Sequence, residues 1–412
     1  MEVKDFTGAP AVAKRIAALK ANCAGKVFSD IVDAAGNQYV DLVMEGGGVL
    51  GIALVGYTYA LEEAGIRFLG VGGTSAGSIN ALLMAALGTP EERKSEKVAE
   101  LLAALDMWAF VDGDGDAKDF VKALLEDAGK FRLVWKGMQV LDDLEEHLGL
   151  NPGDNFLQWL SHVCSSRGVG TAKALRARMA TLPTGLRKRG GALLGIEEAN
   201  PYLALVAADV STETKVQFPK MAPMYWRKPD AVDPALFVRA SMSIPFFFRP
   251  LRVTDIPKRP SAKADWSELA GFTEEIPDEC TFVDGGIMSN FPIDLFHAPA
   301  GMPLAPTFGA KLGADHRNHH EIRKPGQLLG AVFNSARHCL DYDFITRHPD
   351  YRKLVTWIDT DQHNWLNFFM EQQEKVDLFG CGVEAAADFL EAFDWGAYKK
   401  LRGRMAKVYE MG

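Results

Sequence analysis

Residues 39–77 read YVDLVMEGGGVLGIALVGYTYALEEAGIRFLGVGGTSAG. The stretch opens on a compact apolar run, Tyr39 to Met44, of buried-strand length. Glu45-Gly-Gly-Gly48 follows, then a helix-like segment from Val49 to Ala64 that Gly65 stops. Ile66 to Val71 is a second strand, Gly72-Gly-Thr-Ser-Ala-Gly77 a tight turn, and Ser78 to Leu87 a second helix closed by Gly88 and Pro90. Strand–helix–strand–helix with short connections predicts a parallel sheet with right-handed crossovers.

Working outward, Ala11 to Ala21 reads as a helix in a polar lead-in. Residues 91–200 read as mostly helical and irregular. Tyr202 to Ala208 and Thr281 to Val283 read as strands, and the proline-rich residues 219–263 as surface loops. From about Gln327 the chain reads as helical, ending in Val383 to Tyr409. The expected fold is α/β: a central, mostly parallel sheet with helices on both faces, a helical insertion and a helical C-terminal region.

The chain has 412 residues and a formal net charge of −9, with 48% hydrophobic and 24% charged residues. That balance excludes wholesale disorder, and the acidity argues against a dedicated nucleic-acid binder. No apolar run approaches the roughly 18 to 20 residues of a membrane span. Charges at Glu2, Lys4, Asp5, Lys14 and Arg15 interrupt the first 25 residues, so no Sec-type signal is expected. The expected location is cytoplasmic with reversible membrane association. Export by a non-Sec route would leave no readable trace. The 5 cysteines form no CxxC pair, which argues against a cysteine zinc site.

Gly73-Thr-Ser-Ala-Gly77 fits the G-x-S-x-G nucleophile elbow, with a strand before it and a helix after it. Glycines allow the sharp turn that lifts Ser75 from the sheet edge. The helix behind Ser75 points its positive end at the site. The loop before it has two readings. As Gly46-x-Gly48-x-x-Gly51 it matches a dinucleotide fingerprint, but the acidic residue that should end the second strand is missing. As an oxyanion hole, Gly46, Gly47 and Gly48 turn backbone N–H groups toward a substrate carbonyl. The 27 positions between Gly48 and Ser75 are fewer than an ordinary α/β-hydrolase places there.

A serine nucleophile needs a base. None of the 9 histidines sits in a motif that marks it, and His297 is the best placed of them. The other route is Asp284, at a strand end beside Gly285 and Gly286.

Taken in order, the glycine loop, the elbow and Asp284-Gly-Gly286 resemble the patatin-like phospholipase family. Val206-Ala-Ala-Asp209 with Thr212 to Phe218 resembles that family's strand pair after the elbow. Ala240-Ser-Met-Ser-Ile-Pro-Phe-Phe-Phe248 resembles its proline–phenylalanine block. The resemblance covers roughly residues 39–310. It implies a lead-in over residues 1–38, a catalytic domain over 39–310 with the insertion at about 91–200, and a mainly helical region over 311–412. It also implies a Ser75–Asp284 dyad, an oxyanion hole of Gly46 to Gly48, supporting turns at Gly73, Gly77, Gly285 and Gly286, and no metal or organic cofactor. The implied substrate is a phospholipid or other acyl lipid. Glu45 departs from the pattern, since the family often has aspartate there, and it is taken as a flank variation.

Four further features are weighed. Asp112-Gly-Asp-Gly-Asp116 opens like a calcium loop, but Ala117 and Ala123 stand where glycine and glutamate are needed, so it reads as an acidic turn. His316, His319 and His320 read as a solvated loop. Trp365 to Met370 reads as a core helix rather than a membrane-facing patch. Residues 155–196 contain no acid but hold Arg167, Lys173, Arg176, Arg178, Arg187, Lys188 and Arg189. This stretch reads either as a self-balanced basic face or as a contact with anionic headgroups through Arg187, Lys188 and Arg189, or a lid.

The leading function is lipid acyl hydrolysis. A soluble-ester or thioester hydrolase on the same machinery, a dinucleotide-binding protein and a non-catalytic scaffold are the alternatives. A protein activator is neither implied nor excluded.

Overall fold

The computed structural model describes residues 1–125, 146–296, 301–313 and 347–411, with Ile322 and Ser335. The strands are β1 (Ile31–Val32), β2 (Gln38–Met44), β3 (Ile66–Thr74), β4 (Gly149–Asn151), β5 (Arg187–Lys188) and β6 (Tyr202–Asp209). They continue with β7 (Thr214–Phe218), β8 (Phe246–Phe248), β9 (Leu251–Thr254), β10 (Glu279–Asp284), β11 (Thr307–Leu312) and β12 (Val355–Ile358). All but β4 and β8 belong to one sheet, whose main path runs β12-β11-β2-β3-β6-β10-β9. From β12 to β6 every pairing is parallel, and β7, β9 and β10 add antiparallel pairings beyond.

Every residue of β3 is buried, as its near-continuous apolar run requires of a parallel strand covered on both faces. The crossovers from β2 to β3 and from β3 to β6 advance in the same direction. Right-handedness therefore puts the helices Gly51–Glu63 and Ala76–Ala86 on one face. The first of these is buried over nearly its whole surface, and Gly56 and Gly382 mark where the C-terminal helix Gln372–Ala392 crosses it closely. The other face is covered by the short helix Ile196–Ala199, the 3-10 turn Ile293–Phe296 and an apolar cluster of Ile31, Tyr39, Leu69, Leu186, Leu194 and Ala199.

Three local readings of the sequence are corrected. The proline-rich stretch is not loop throughout. It contains the helix Pro234–Ser241, with Pro234 at the first helical position and Asp233 accepting the Ala235 N–H at 2.9 Å. Proline there helps a helix start, because the missing N–H would have no partner anyway. The C-terminal region is helical as expected, over Gln372–Ala392 and Trp395–Met411, and it also supplies β12. β11 spans residue 310, where the sequence suggested a boundary. Trp365 to Met370 is not a core helix but an irregular strap with Phe369 exposed.

Candidate active site

β3 ends at Thr74 and the helix Ala76–Ala86 starts one residue later, so Ser75 alone makes the corner. Its backbone is left-handed, at φ 51° and ψ −120°. A non-glycine residue held there costs about 1–3 kcal/mol and persists only where its surroundings impose it. They do so here. A side chain at Gly77 would put its Cβ 2.1 Å from the Met44 carbonyl oxygen, so only glycine lets the elbow press against the end of β2. Gly73 lies against Gly77 in the same crossing. The Ser75 N–H donates to Ser241 Oγ at 2.9 Å, and the Ser241 hydroxyl donates to the Val206 carbonyl at 2.5 Å. The Ser75 carbonyl accepts the Ser78 and Ile79 N–H groups at 2.9 and 3.1 Å. Ser75 is 3% exposed.

Strand register brings Asp284 to this corner. Thr74 pairs with Val206, and Asp284 with Ala207. β7 occupies the opposite side of the same β6 residues, so β3 and β10 lie on one side of β6 and meet head to head. Thr74 and Asp284 end those two strands one register position apart, and Ser75 follows Thr74 directly. The junction is bonded, with the Thr74 hydroxyl donating to the Ser289 carbonyl at 2.8 Å. Gly285 is pressed against the Val206 carbonyl. The Asp284 N–H donates to the Ser243 carbonyl at 2.8 Å, and its Oδ1 accepts the Gly286 N–H at 2.7 Å. Ser243 is in turn fixed by Arg239, whose guanidinium also donates to the Pro152 and Arg249 carbonyls. Burial draws the Arg239 pKa down to about 10, against the opposing pull of Asp112 and Asp154.

The glycine loop lies directly on the elbow, with Gly46 packed against the Ser75 side chain and the Thr74 carbonyl. Gly48 has φ +56° and starts a 3-10 turn, Gly48–Leu50, so a side chain there would be strained as well as blocked by Trp365. The Gly46 N–H is committed to the Asn290 carbonyl at 3.0 Å. Among the described residues, the N–H groups of Gly47 and Gly48 carry no hydrogen bond. The strap closes over the loop, where the Trp365 carbonyl accepts the Val49 N–H at 3.0 Å.

Sequence reasoning passed over the supports of this loop. Glu45 is no neutral flank. It is 3% exposed and its Oε1 accepts from Lys311 Nζ at 2.6 Å and from Asn290 Nδ2 at 3.1 Å. Its Oε2 accepts the Leu312 N–H at 2.7 Å. Lys311 also lies over the Phe291 and Trp357 rings, at 4.6 and 5.0 Å from their centroids. Ser241 and Ser243 lay inside the quoted 240–248 block, but nothing in that block marked their bonds. Asn290 and Lys311 carried no local signal.

Other candidates fall elsewhere. His297, His316, His319 and His320 lie outside the described residues. Asp112 caps a helix, its two oxygens accepting the Gly153 and Asn155 N–H groups at 2.9 and 3.0 Å. No group of three or more His, Cys, Asp or Glu among the described residues is arranged to hold a metal. Arg187 and Lys188 form β5, which pairs with β1, and β1 meets β2 at Gln38. The Arg189 guanidinium donates to Gln38 Oε1 and the Ser29 carbonyl. These three residues therefore sit at the amino end of β2, a strand length of roughly 20 Å from the Ser75 corner.

A strained serine on an elbow, an aspartate ending the adjoining strand and a glycine loop packed on the serine define an α/β protein of hydrolase type. The model of the patatin-like phospholipase family matches residues 42–297, well over half of the chain. The chain belongs to the patatin-like phospholipase family, and at that level it is a lipid hydrolase. It is 30% identical over 360 residues to the uncharacterized protein YqhO of Bacillus subtilis (strain 168), covering 87% of this chain and 100% of that one. Among solved structures it matches a chain in the crystal structure of full-length SpcU in complex with full-length ExoU, from the type III secretion system of Pseudomonas aeruginosa. That match has 14% identity and a TM-score of 0.32, covering 86% of this chain and 52% of that one. The chain thus spans about half the length of that protein. No described helix is long and apolar enough to cross a membrane.

Proposed function

We propose that the protein hydrolyses acyl esters of lipids through a Ser75–Asp284 dyad. The observation that carries this reading is the head-to-head meeting of β3 and β10 beside β6, which sets a strained Ser75 next to Asp284. In the first half-reaction Ser75 Oγ attacks the ester carbonyl while its proton passes to the Asp284 carboxylate. The carbonyl oxygen becomes an oxyanion held by N–H groups of the glycine loop, worth roughly 3 kcal/mol per donor. Collapse expels the alcohol, which takes the proton back from Asp284. In the second half water attacks the acyl-enzyme, gives its proton to Asp284, and the fatty acid leaves as Ser75 is restored. The positive end of the helix Ala76–Ala86 favours both charged intermediates. Asp284 is 5% exposed and its N–H and Oδ1 are both bonded, so the carboxylate is held in place at the corner.

Arg187, Lys188 and Arg189 lie at the amino end of β2, away from this chemistry. Fluorophosphonate labelling with peptide mapping tests the nucleophile, with label expected on Ser75. Ser75→Ala and Asp284→Asn are each expected to reduce hydrolysis of a chromogenic acyl ester by at least about a thousandfold while remaining folded. Near-normal turnover by the Asp284 variant would sink the dyad. Turnover of short-chain esters with none on phospholipid vesicles would replace the lipid substrate with a soluble one.

A further inference from the structure

Three elements distant in sequence converge on the glycine loop, and only one of them holds both of its faces. The Asn290 carbonyl accepts the Gly46 N–H at 3.0 Å. Its side-chain amide donates to the Gly46 carbonyl at 3.3 Å and to Glu45 Oε1 at 3.1 Å. Asn290 is thus bonded to both backbone polar groups of Gly46, one in each of the two peptide planes that flank it, and to the side chain before it. It is 2% exposed, so water cannot replace these bonds. Asn290 also lies on the turn that leaves Asp284, and its neighbour Ser289 accepts the Thr74 hydroxyl at 2.8 Å. One short segment therefore touches the base, the end of the nucleophile strand and the oxyanion loop.

The consequence is a division of labour among the glycines. Gly46 has spent its N–H on Asn290 and cannot offer it to a substrate. The N–H groups of Gly47 and Gly48 remain. The Gly47 N–H shares its peptide plane with the Gly46 carbonyl that Asn290 holds, and the Gly48 N–H follows one plane later, so both directions depend on that bond, since glycines impose little of their own. An unclamped triple-glycine loop would sample many orientations, and donors that must reorganise during the reaction lose much of their value.

Resting on the Ser75–Asp284 reading, we propose that Asn290 is a positioning residue that clamps the Gly46 peptide through its side-chain amide and backbone carbonyl, with Glu45 and Lys311 as the anchor. Gly47 and Gly48, not Gly46, are then the oxyanion donors. Asn290 touches no substrate and acts only through the loop.

The test uses Asn290→Asp and Asn290→Ala in the full chain. Aspartate keeps the shape but sets a carboxylate against the Glu45 carboxylate and the Gly46 carbonyl, whereas alanine only removes the amide. Turnover of a soluble acyl ester is expected to fall about tenfold or more in Asn290→Ala and further in Asn290→Asp. KM should stay within about twofold, and the pH profile of kcat should keep the wild-type shape, because the base is untouched. Fluorophosphonate labelling of Ser75, whose adduct also needs the oxyanion donors, should slow in parallel. Rates are normalised to folded protein measured by circular dichroism, and the alanine variant decides alone where the aspartate variant does not fold. A kcat within twofold of wild type in folded Asn290→Ala, or a loss confined to KM, overturns the proposal. If the wild-type protein neither labels at Ser75 nor turns over ester, the dyad reading has failed and this inference falls with it. An active wild type with an indifferent Asn290 sinks the clamp alone.

Discussion

The two ends of the central sheet are built on opposite principles. At the carboxyl end, polar groups are buried and committed: Ser75 sits at φ 51°, the Gly46 peptide is bonded on both faces, and Glu45 and Lys311 pair out of water at 2.6 Å. At the amino end the charges are looser. Lys399 pairs with Asp30 at 2.8 Å while both remain partly exposed. A cavity of about 690 Å³ opens there between Lys26, Arg189, Phe393 and Trp395. Partly exposed pairs of that kind are worth only about 0–1 kcal/mol. That cavity lies at the end without the elbow, so an opening of this size is not by itself the mark of the candidate site. What marks the carboxyl end is a strained serine together with buried, bonded supports around two glycine N–H groups left open among the described residues.

Ser75→Gly should show the contrast most sharply. Loss of the hydroxyl is expected to cost at least about a thousandfold in turnover. Glycine also accepts φ 51° without penalty, so relief of strain outweighs its entropic cost and stability should hold or rise by up to about 1 kcal/mol. Thermal unfolding of the variant beside the wild type measures this. A clear fall in stability would mean that the corner is not strained.

Next in size is the Glu45–Lys311 pair. Lys311→Met leaves Glu45 buried without its cation, which typically costs about 3–5 kcal/mol. Adding Glu45→Gln removes the orphaned charge and should recover much of the loss. Breaking Lys399–Asp30 at the amino end should cost under about 1 kcal/mol. Urea unfolding of the four proteins reads all three values, and equal losses at the two ends would erase the comparison.

These differences also explain what was legible in the sequence. The elbow, the glycine loop and Asp284-Gly-Gly286 are turns whose chemistry is local, so residue type and spacing expose them. Lys311 and Asn290 meet Glu45 across 266 and 245 positions, and no local pattern encodes such a meeting. β12 is only four residues long and joins the sheet through β11, so it too depends on distant partners. The strap at 365–370 misled for another reason. Trp365, Phe368 and Phe369 at i, i+3 and i+4 suggested a core helix, but these residues are held instead by contacts with the glycine loop and by stacking. Phe368 stacks on Phe247 with centroids 5.1 Å apart, and Phe369 on Trp108 at 3.7 Å.

Midway along β2, Asp41 gives a pH-dependent test. Its Oδ1 accepts the Gly70 N–H at 2.8 Å, where the β2–β3 register shifts between Val40 and Leu42. Burial raises its pKa to about 6, and the Gly70 bond opposes that only partly. A folded-state pKa above the unfolded value means the folded protein favours the protonated acid. Asp41 is therefore least harmful below about pH 4, and stability falls as pH rises through about 6. The shift of about 2 units corresponds to at most about 3 kcal/mol. Asp41→Asn keeps an acceptor for Gly70 and should flatten that part of the stability profile, with a gain at pH 7. An unchanged profile would show that the carboxyl is solvated.

The smallest expected effect belongs to the basic residues at the amino end, and its smallness decides something. If Arg187 and Lys188 touched anionic headgroups, reversing both would remove about 2 kcal/mol of attraction, on the order of 30-fold in vesicle affinity. Their strand lies beside β1 at the far end of β2, so a membrane meeting the mouth of the site would leave them facing away. Arg187→Glu with Lys188→Glu is therefore expected to change hydrolysis of anionic vesicles by less than about twofold, with soluble-ester turnover equally unaffected. Arg189 is left in place because its guanidinium holds Gln38 and Ser29 together. A loss above about fivefold on vesicles, with the soluble ester spared, would put the membrane at the amino end, and the two ends would no longer divide the work as their chemistry suggests.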